Sequence, residues 1–113
     1  MQMFINNTLV PVDWQNNSSV QALEELVKDK PLTIRMSRYG GFEQVGSIGK
    51  RLPDSDKHTV TSSGDIVLYN GNQLVVFYGS NSWSYTRLGK INYSNSKMRE
   101  LLENGDVIIT ITK

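Results

Sequence analysis

The stretch Tyr78 to Ile91, YGSNSWSYTRLGKI, sets an indole, two phenols, a carboxamide and a guanidinium among hydroxyls, between runs of plain hydrophobic character. As extended chain, residues 82 to 91 alternate sides, so Trp83, Tyr85, Arg87 and Gly89 share one face and Ser84, Thr86, Leu88 and Lys90 the other. A row of indole, phenol and guanidinium can stack on an apolar ligand and fix its carbonyl or carboxylate through the forked arginine donors. Tyr78 and Asn81 open the same stretch, and RYGGFE adds Tyr39, Phe42 and Glu43. The candidate ligand-binding set is therefore Tyr39, Phe42, Glu43, Tyr78, Asn81, Trp83, Tyr85 and Arg87. In the plainer alternative, Trp83 and Tyr85 cover a barrel wall and Arg87 pairs with Glu43 or Asp65.

Other chemistry finds little support. The chain has no cysteine and one histidine, His58, so thiolate catalysis is excluded and no transition-metal set is expected. Asp54 and Asp56 in LPDSDK lack the glycine and terminal glutamate of a calcium-binding hand loop, and they read as a solvated loop. Ser62 and Ser63 precede a strand with no signal of a neighbouring base or oxyanion hole, so no catalytic residue is assigned. GGFEQVGSIG is glycine-rich but does not bridge a strand to a helix as a phosphate-binding loop does, and no cofactor is expected. Arg35, Arg38, Lys50, Arg51, Arg87 and Lys90 among aromatics could hold single-stranded nucleic acid. Twelve basic against eleven acidic residues give a net charge of +1, however, and acidic neighbours dilute the group, so neither nucleic acid nor an anionic membrane is an expected partner.

The elements that must position these residues fit one domain over 1–113, since 113 residues suffice to bury one core without a metal or disulfide. MFIN and LVPVDW around Asn6-Asn7-Thr8 read as a hairpin. In NNSSVQALEELVKDKP, Ser18 with Gln21 fits a capping box. Val20, Leu23, Leu26 and Val27 form the apolar stripe of a short helix that Pro31 stops. LTIRMS alternates as a half-buried strand, with further strands expected at Glu43 to Ile48 and His58 to Thr61. DIVLY and LVVFYG flank Asn70-Gly71, the strongest short hairpin signal. A strand through YTRLGKI, a second helix in SNSKMRELLENG and a closing strand in DVIITITK complete the chain. The expected class is mainly β: about seven or eight strands in a small closed or nearly closed antiparallel barrel with two short α-helices. No run is long enough to span a membrane, and the opening MQMFINNTLVPV lacks a signal-peptide pattern, so cytoplasm is the expected location.

GDIVLY, LVVFYGSNSWSYTRLGKI and the final helix before GDVIITI resemble a family of small bacterial proteins with a cyclophilin-like fold. QALEELVKDKPLTIRM and GGFEQVGSIGKRLP extend the likeness over nearly the whole chain, and Leu88-Gly89-Lys90-Ile91 resembles the Phe-Gly-Lys-Val block of true cyclophilins. The resemblance implies the barrel, with a groove on its outer face lined by aromatics and one arginine. The Phe-His-Arg and Gln-Gly-Gly-Asp segments that serve proline isomerisation in true cyclophilins have no match here, since His58 is followed by Thr59 and Val60. The resulting expectation is a monomeric, non-catalytic module binding a peptide or a small organic anion. A residual peptidyl-prolyl isomerase using Arg87 is the first alternative, and a protein-protein interaction domain the second.

Overall fold

The computed structural model describes residues 1–113 and contains eleven strands and two helices. In chain order these are β1 (Gln2–Ile5), β2 (Thr8–Val10), β3 (Val12–Trp14), α1 (Ser18–Leu26), β4 (Leu32–Arg35), β5 (Ser37–Tyr39), β6 (Glu43–Ser47), β7 (Lys57–Val60), β8 (Asp65–Tyr69), β9 (Gln73–Phe77), β10 (Ser82–Ile91), α2 (Asn95–Leu102) and β11 (Ile108–Thr112). Hairpin turns form where asparagine tolerates left-handed backbone: Asn6 and Asn7 between β1 and β2, and Asn70 with Gly71 between β8 and β9, all have positive φ. The first helix is capped one residue earlier than the sequence suggests. Asn17, not Ser18, accepts the Val20 amide at 2.9 Å, and the Asn17 amide group also donates to the Arg87 carbonyl at 2.9 Å, fastening α1 to β10.

The strands form two antiparallel sheets, ordered β2-β1-β11-β4 and β3-β10-β8-β9-β6-β5, with β7 on the free end of β10. Each sheet edge continues along the chain into the other sheet. β2 passes through Pro11 into β3, and β4 passes through Met36 into β5, so the two sheets wrap into a ring joined by two bent strands rather than by ladder hydrogen bonds. Counting each bent pair once and leaving the appended β7 aside gives eight staves, in keeping with the seven or eight expected from the sequence. Pro11 has no amide hydrogen to extend a ladder, and its carbonyl instead accepts from the Asn92 amide at 2.9 Å. At the second corner the Met36 amide donates to Val107 at 2.9 Å.

Glycine allows the tight approach at both corners. A Cβ on Gly46 would lie 2.5 Å from the Arg35 carbonyl oxygen, and one on Gly89 would lie 2.7 Å from that of Asp13. The interior is one cluster that includes Met3, Ile5, Ile34, Ile66, Leu68, Leu74, Val76, Leu88, Ile109 and Ile111, with Leu23 of α1 and Met98 and Leu102 of α2 closing against it. Gln44 is a fully buried polar residue. Its side-chain amide donates to the carbonyls of Leu102 and Gly105 at 2.8 and 2.7 Å and so pins the end of α2.

A second, smaller cluster lies on the opposite face of the larger sheet. Val67, Val75, Phe77 and Tyr85 are buried there, with Val45 and Tyr69 against them, so β8 and β9 are covered on both faces. That is why DIVLY and QLVVF are nearly continuous apolar runs instead of alternating ones.

Candidate functional site

Alternation along each strand decides which side chains reach the outer face. Glu43 and Val45 of β6 pair with Phe77 and Val75 of β9, and Tyr69 of β8 pairs with Gln73, so these side chains stand together outside the barrel. The β5–β6 connection, Gly40 to Phe42, folds over one end of this face. The Phe42 carbonyl accepts from the amides of Tyr78 and Gly79 at 3.0 and 2.9 Å, which anchors that loop to the end of β9. From the other side comes β10, carrying Trp83 and Tyr85, with Asn81 just before it. The Asn81 side-chain amide donates to the Tyr85 hydroxyl at 2.9 Å and holds the phenol in place.

The result is an open cavity of about 490 Å³ lined by Tyr39, Phe42, Glu43, Val45, Tyr69, Gln73, Val75, Asn81, Trp83 and Tyr85. Its floor is an aromatic chain of contacts. The Phe42 and Phe77 rings stack at 6.4 Å, Phe77 meets Tyr85 edge-on at 5.7 Å, and Tyr85 meets Tyr69 edge-on at 6.0 Å. At the rim Tyr39 stands edge-on to Phe42, and Tyr39 and Trp83 are 63% and 58% exposed, which leaves their ring faces free for contact.

One charge-bearing group sits among these rings. Glu43 is only 5% exposed, its Oε1 is enclosed without any hydrogen-bond donor from the protein, and burial pushes its carboxyl up to about 7. Among the ten lining residues there is no lysine, arginine or histidine. Tyr85 is also held above the usual phenol value by burial; the Asn81 hydrogen bond partly offsets this, and the Glu43 charge adds to it.

Six of the eight residues singled out from the sequence thus meet in one cavity: Tyr39, Phe42, Glu43, Asn81, Trp83 and Tyr85. The other two stand elsewhere. Tyr78 follows outward-facing Phe77, so alternation turns its side chain inward, where it is 3% exposed in the main core. Its contribution to the cavity is the backbone bond to Phe42. Arg87 does lie on the Tyr85 face, but beyond the cavity, and both its terminal nitrogens are engaged: one donates to Asp65 Oδ2 at 3.1 Å and the other to the Val60 carbonyl at 2.9 Å. Of the two acids the sequence offered as its partner, Asp65 takes it.

The simple alternation fails just past Arg87. The register between β10 and β8 shifts from Arg87↔Val67 to Gly89↔Ile66, a bulge that absorbs one residue and returns Lys90 to the Arg87 side, opposite Asp65. Lys90 therefore does not share the Ser84 and Thr86 face; its Nζ reaches Asp65 Oδ1 at 3.5 Å. Arg87 also borders a small polar groove with Asn17, Ser18, Ser55, Lys57 and Thr86. The loop around Asp56 is tied down there rather than merely solvated, because Asp56 accepts from the Thr86 hydroxyl at 2.6 Å and the Asn70 amide at 3.1 Å.

Four lining residues escape sequence reasoning: Val45, Tyr69, Gln73 and Val75. The available signal was the lack of alternation in DIVLY and LVVFY, which implies a covered outer face on those strands.

An antiparallel barrel with chain-continuous corners, two packed helices and an aromatic cavity on its outer wall defines the class of small β-barrel domains. Residues 3–112 match the model of the cyclophilin-like family, and the chain belongs to that family. No curated protein and no solved structure is significantly similar to it.

Proposed function

We propose that the protein is a non-catalytic binding module whose site is the outer cavity, taking a peptide segment or a small organic molecule. The observation that carries this reading is an unpaired, nine-tenths-buried carboxyl opening onto a cavity with exposed tyrosine and tryptophan rings at its rim. Folding alone gives no return for leaving Glu43 without a donor or Trp83 in water, whereas a ligand can satisfy the first and cover the second. An anionic ligand would depend on Arg87, which lies outside this cavity and is engaged with Asp65.

Isomerase chemistry has the same requirement for a free arginine, one able to polarise the imide nitrogen of a bound proline. A protease-coupled proline-peptide assay is expected to show no acceleration above background. Alongside it, a thermal-shift screen of short peptides and small organic molecules is expected to return ligands that raise the melting temperature of the wild type but not of Trp83→Ala. Acceleration that disappears in Arg87→Ala would overturn the reading, as would stabilisation untouched by Trp83→Ala.

A further inference from the structure

We propose that the group the cavity binds is a small alkylammonium, with its cationic head against the Glu43 carboxylate and its carbon chain against the rings of Tyr39, Phe42 and Trp83. This rests on the reading of the cavity as a binding site and names its ligand chemistry.

Glu43 is the only acid or base other than phenols among the lining residues, and no protein donor or cation reaches either of its oxygens; Oε1 is enclosed, so Oε2 is the atom that can meet a ligand. No protein cation pairs with Glu43, and the basic residues nearest in the chain or on neighbouring strands stand elsewhere. Arg38, next to Tyr39, donates from its amide to Asp106 and from its guanidinium to the Glu103 carbonyl. Arg87 and Lys90 reach Asp65, and Lys57 borders the polar groove. An anion entering the cavity would meet a like charge and no donor cation. A divalent metal would find one carboxylate, and no group of three acids or histidines stands together anywhere in the protein. An ammonium supplies both the donor and the countercharge that Glu43 lacks. The apolar floor of Val45, Val75 and Phe42 suits a short methylene chain.

A competing chemistry is a neutral carbonyl accepting a hydrogen bond from protonated Glu43, and the two predict opposite pH dependence. The titratable groups facing Glu43 are phenols, Tyr39 of β5, Tyr69 of β8 and Tyr85 of β10, while β9 contributes Gln73, Val75 and Phe77. No imidazole, amine or second carboxyl lines the cavity. An ammonium binds the ionised form, so its affinity rises as pH passes upward through about 7. A carbonyl ligand binds the protonated form and weakens over the same interval.

The test titrates the full chain with n-butylammonium, n-butanol and butyrate at pH 6 and pH 8, following the two resolved indole signals of Trp83 and Trp14 by NMR. The expected result is saturable movement of the Trp83 signal alone, with butylammonium binding several-fold tighter at pH 8 than at pH 6. Butanol and butyrate should bind at least tenfold more weakly. Glu43→Gln, nearly isosteric and uncharged, should lose at least tenfold in butylammonium affinity while butanol is unaffected. Nα-acetyl-lysine N-methylamide in place of butylammonium distinguishes the source of the group: tighter binding supports a lysyl side chain in a peptide, equal or weaker binding a free amine. Butanol or butyrate binding as well as butylammonium, or affinity falling with pH, overturns the ammonium while leaving the cavity a binding site. No movement of Trp83 with any probe overturns both.

Discussion

Glu43 and Asp65 are both buried acids on the outer face of the larger sheet, and they differ in company. Asp65 accepts from Arg87, Lys90 and the Ser62 amide, whereas Oε1 of Glu43 has no donor. Their substitutions should therefore act oppositely. Arg87→Met removes one of three partners of Asp65 and should cost about 1.5 kcal/mol in a denaturant titration, without changing ligand affinity in the cavity. Adding Lys90→Met strands the carboxylate, and the double variant should lose about 3 to 5 kcal/mol, more than the two single losses together. Glu43 carries the opposite sign. Its folded carboxyl titrates near 7 against an ordinary value of 4.5, so between those pH values the folded state holds a proton that the unfolded chain has released. Its stabilising effect is present below about 4.5 and is lost as pH rises through about 7. The melting temperature should fall over that window in the wild type, and the Glu43 contribution to the fall should vanish in Glu43→Gln. An equal slope in both proteins would mean that Glu43 is neither buried nor unpaired in solution.

At the scale of elements, the corners and caps decide whether the outer face is assembled. Gly46→Ala would drive a Cβ into the Arg35 backbone carbonyl, which has little freedom to move, and should destabilise by about 3 kcal/mol or unfold the domain. Asn17→Ala removes the cap of α1 together with its bond to the Arg87 carbonyl, and should cost about 1 to 2 kcal/mol by chemical denaturation. Much of this was legible in the sequence because local chemistry alone specifies it. Asn70-Gly71 can hardly be anything but a tight turn, and the stripe from Val20 to Val27 fits only a helix packed on one side. The placement of Trp83 and Tyr85 on one strand face follows from period two, and the joining of that face to Tyr39, Phe42 and Glu43 requires the β6–β9–β8–β10 order, which no local pattern encodes. The bulge after Arg87 was hidden for the same reason. Only the pairing with β8 shows that Leu88 and Gly89 oppose a single step of the partner strand, and so that Lys90 shares Asp65 with Arg87. Asn17 and Ser18 are both good caps, and the choice between them falls to tertiary contact, the bond from Asn17 to β10.

For the whole molecule, the ring of staves gives two chemically distinct surfaces. The interior is filled by aliphatic side chains together with Tyr78 and closed by α1 and α2. The outer wall bears a second apolar cluster that the fold covers only in part, and the uncovered part is the cavity. Exposed Tyr39 and Trp83 on this wall also make it the natural face for self-association. A monomer is nevertheless expected by light scattering at two concentrations, and a dimer dissociated by Trp83→Ala would turn the site into an interface. The central claim, that ligands enter through the outer aromatic cavity, is tested most directly by an amide chemical-shift map recorded with the tightest ligand from the thermal screen. The largest movements are predicted at residues 39 to 45 and 81 to 85, with Tyr69 and Val75 beneath them. Movements centred instead on Asn17, Ser55, Lys57 and Arg87 would place binding in the polar groove and contradict the claim.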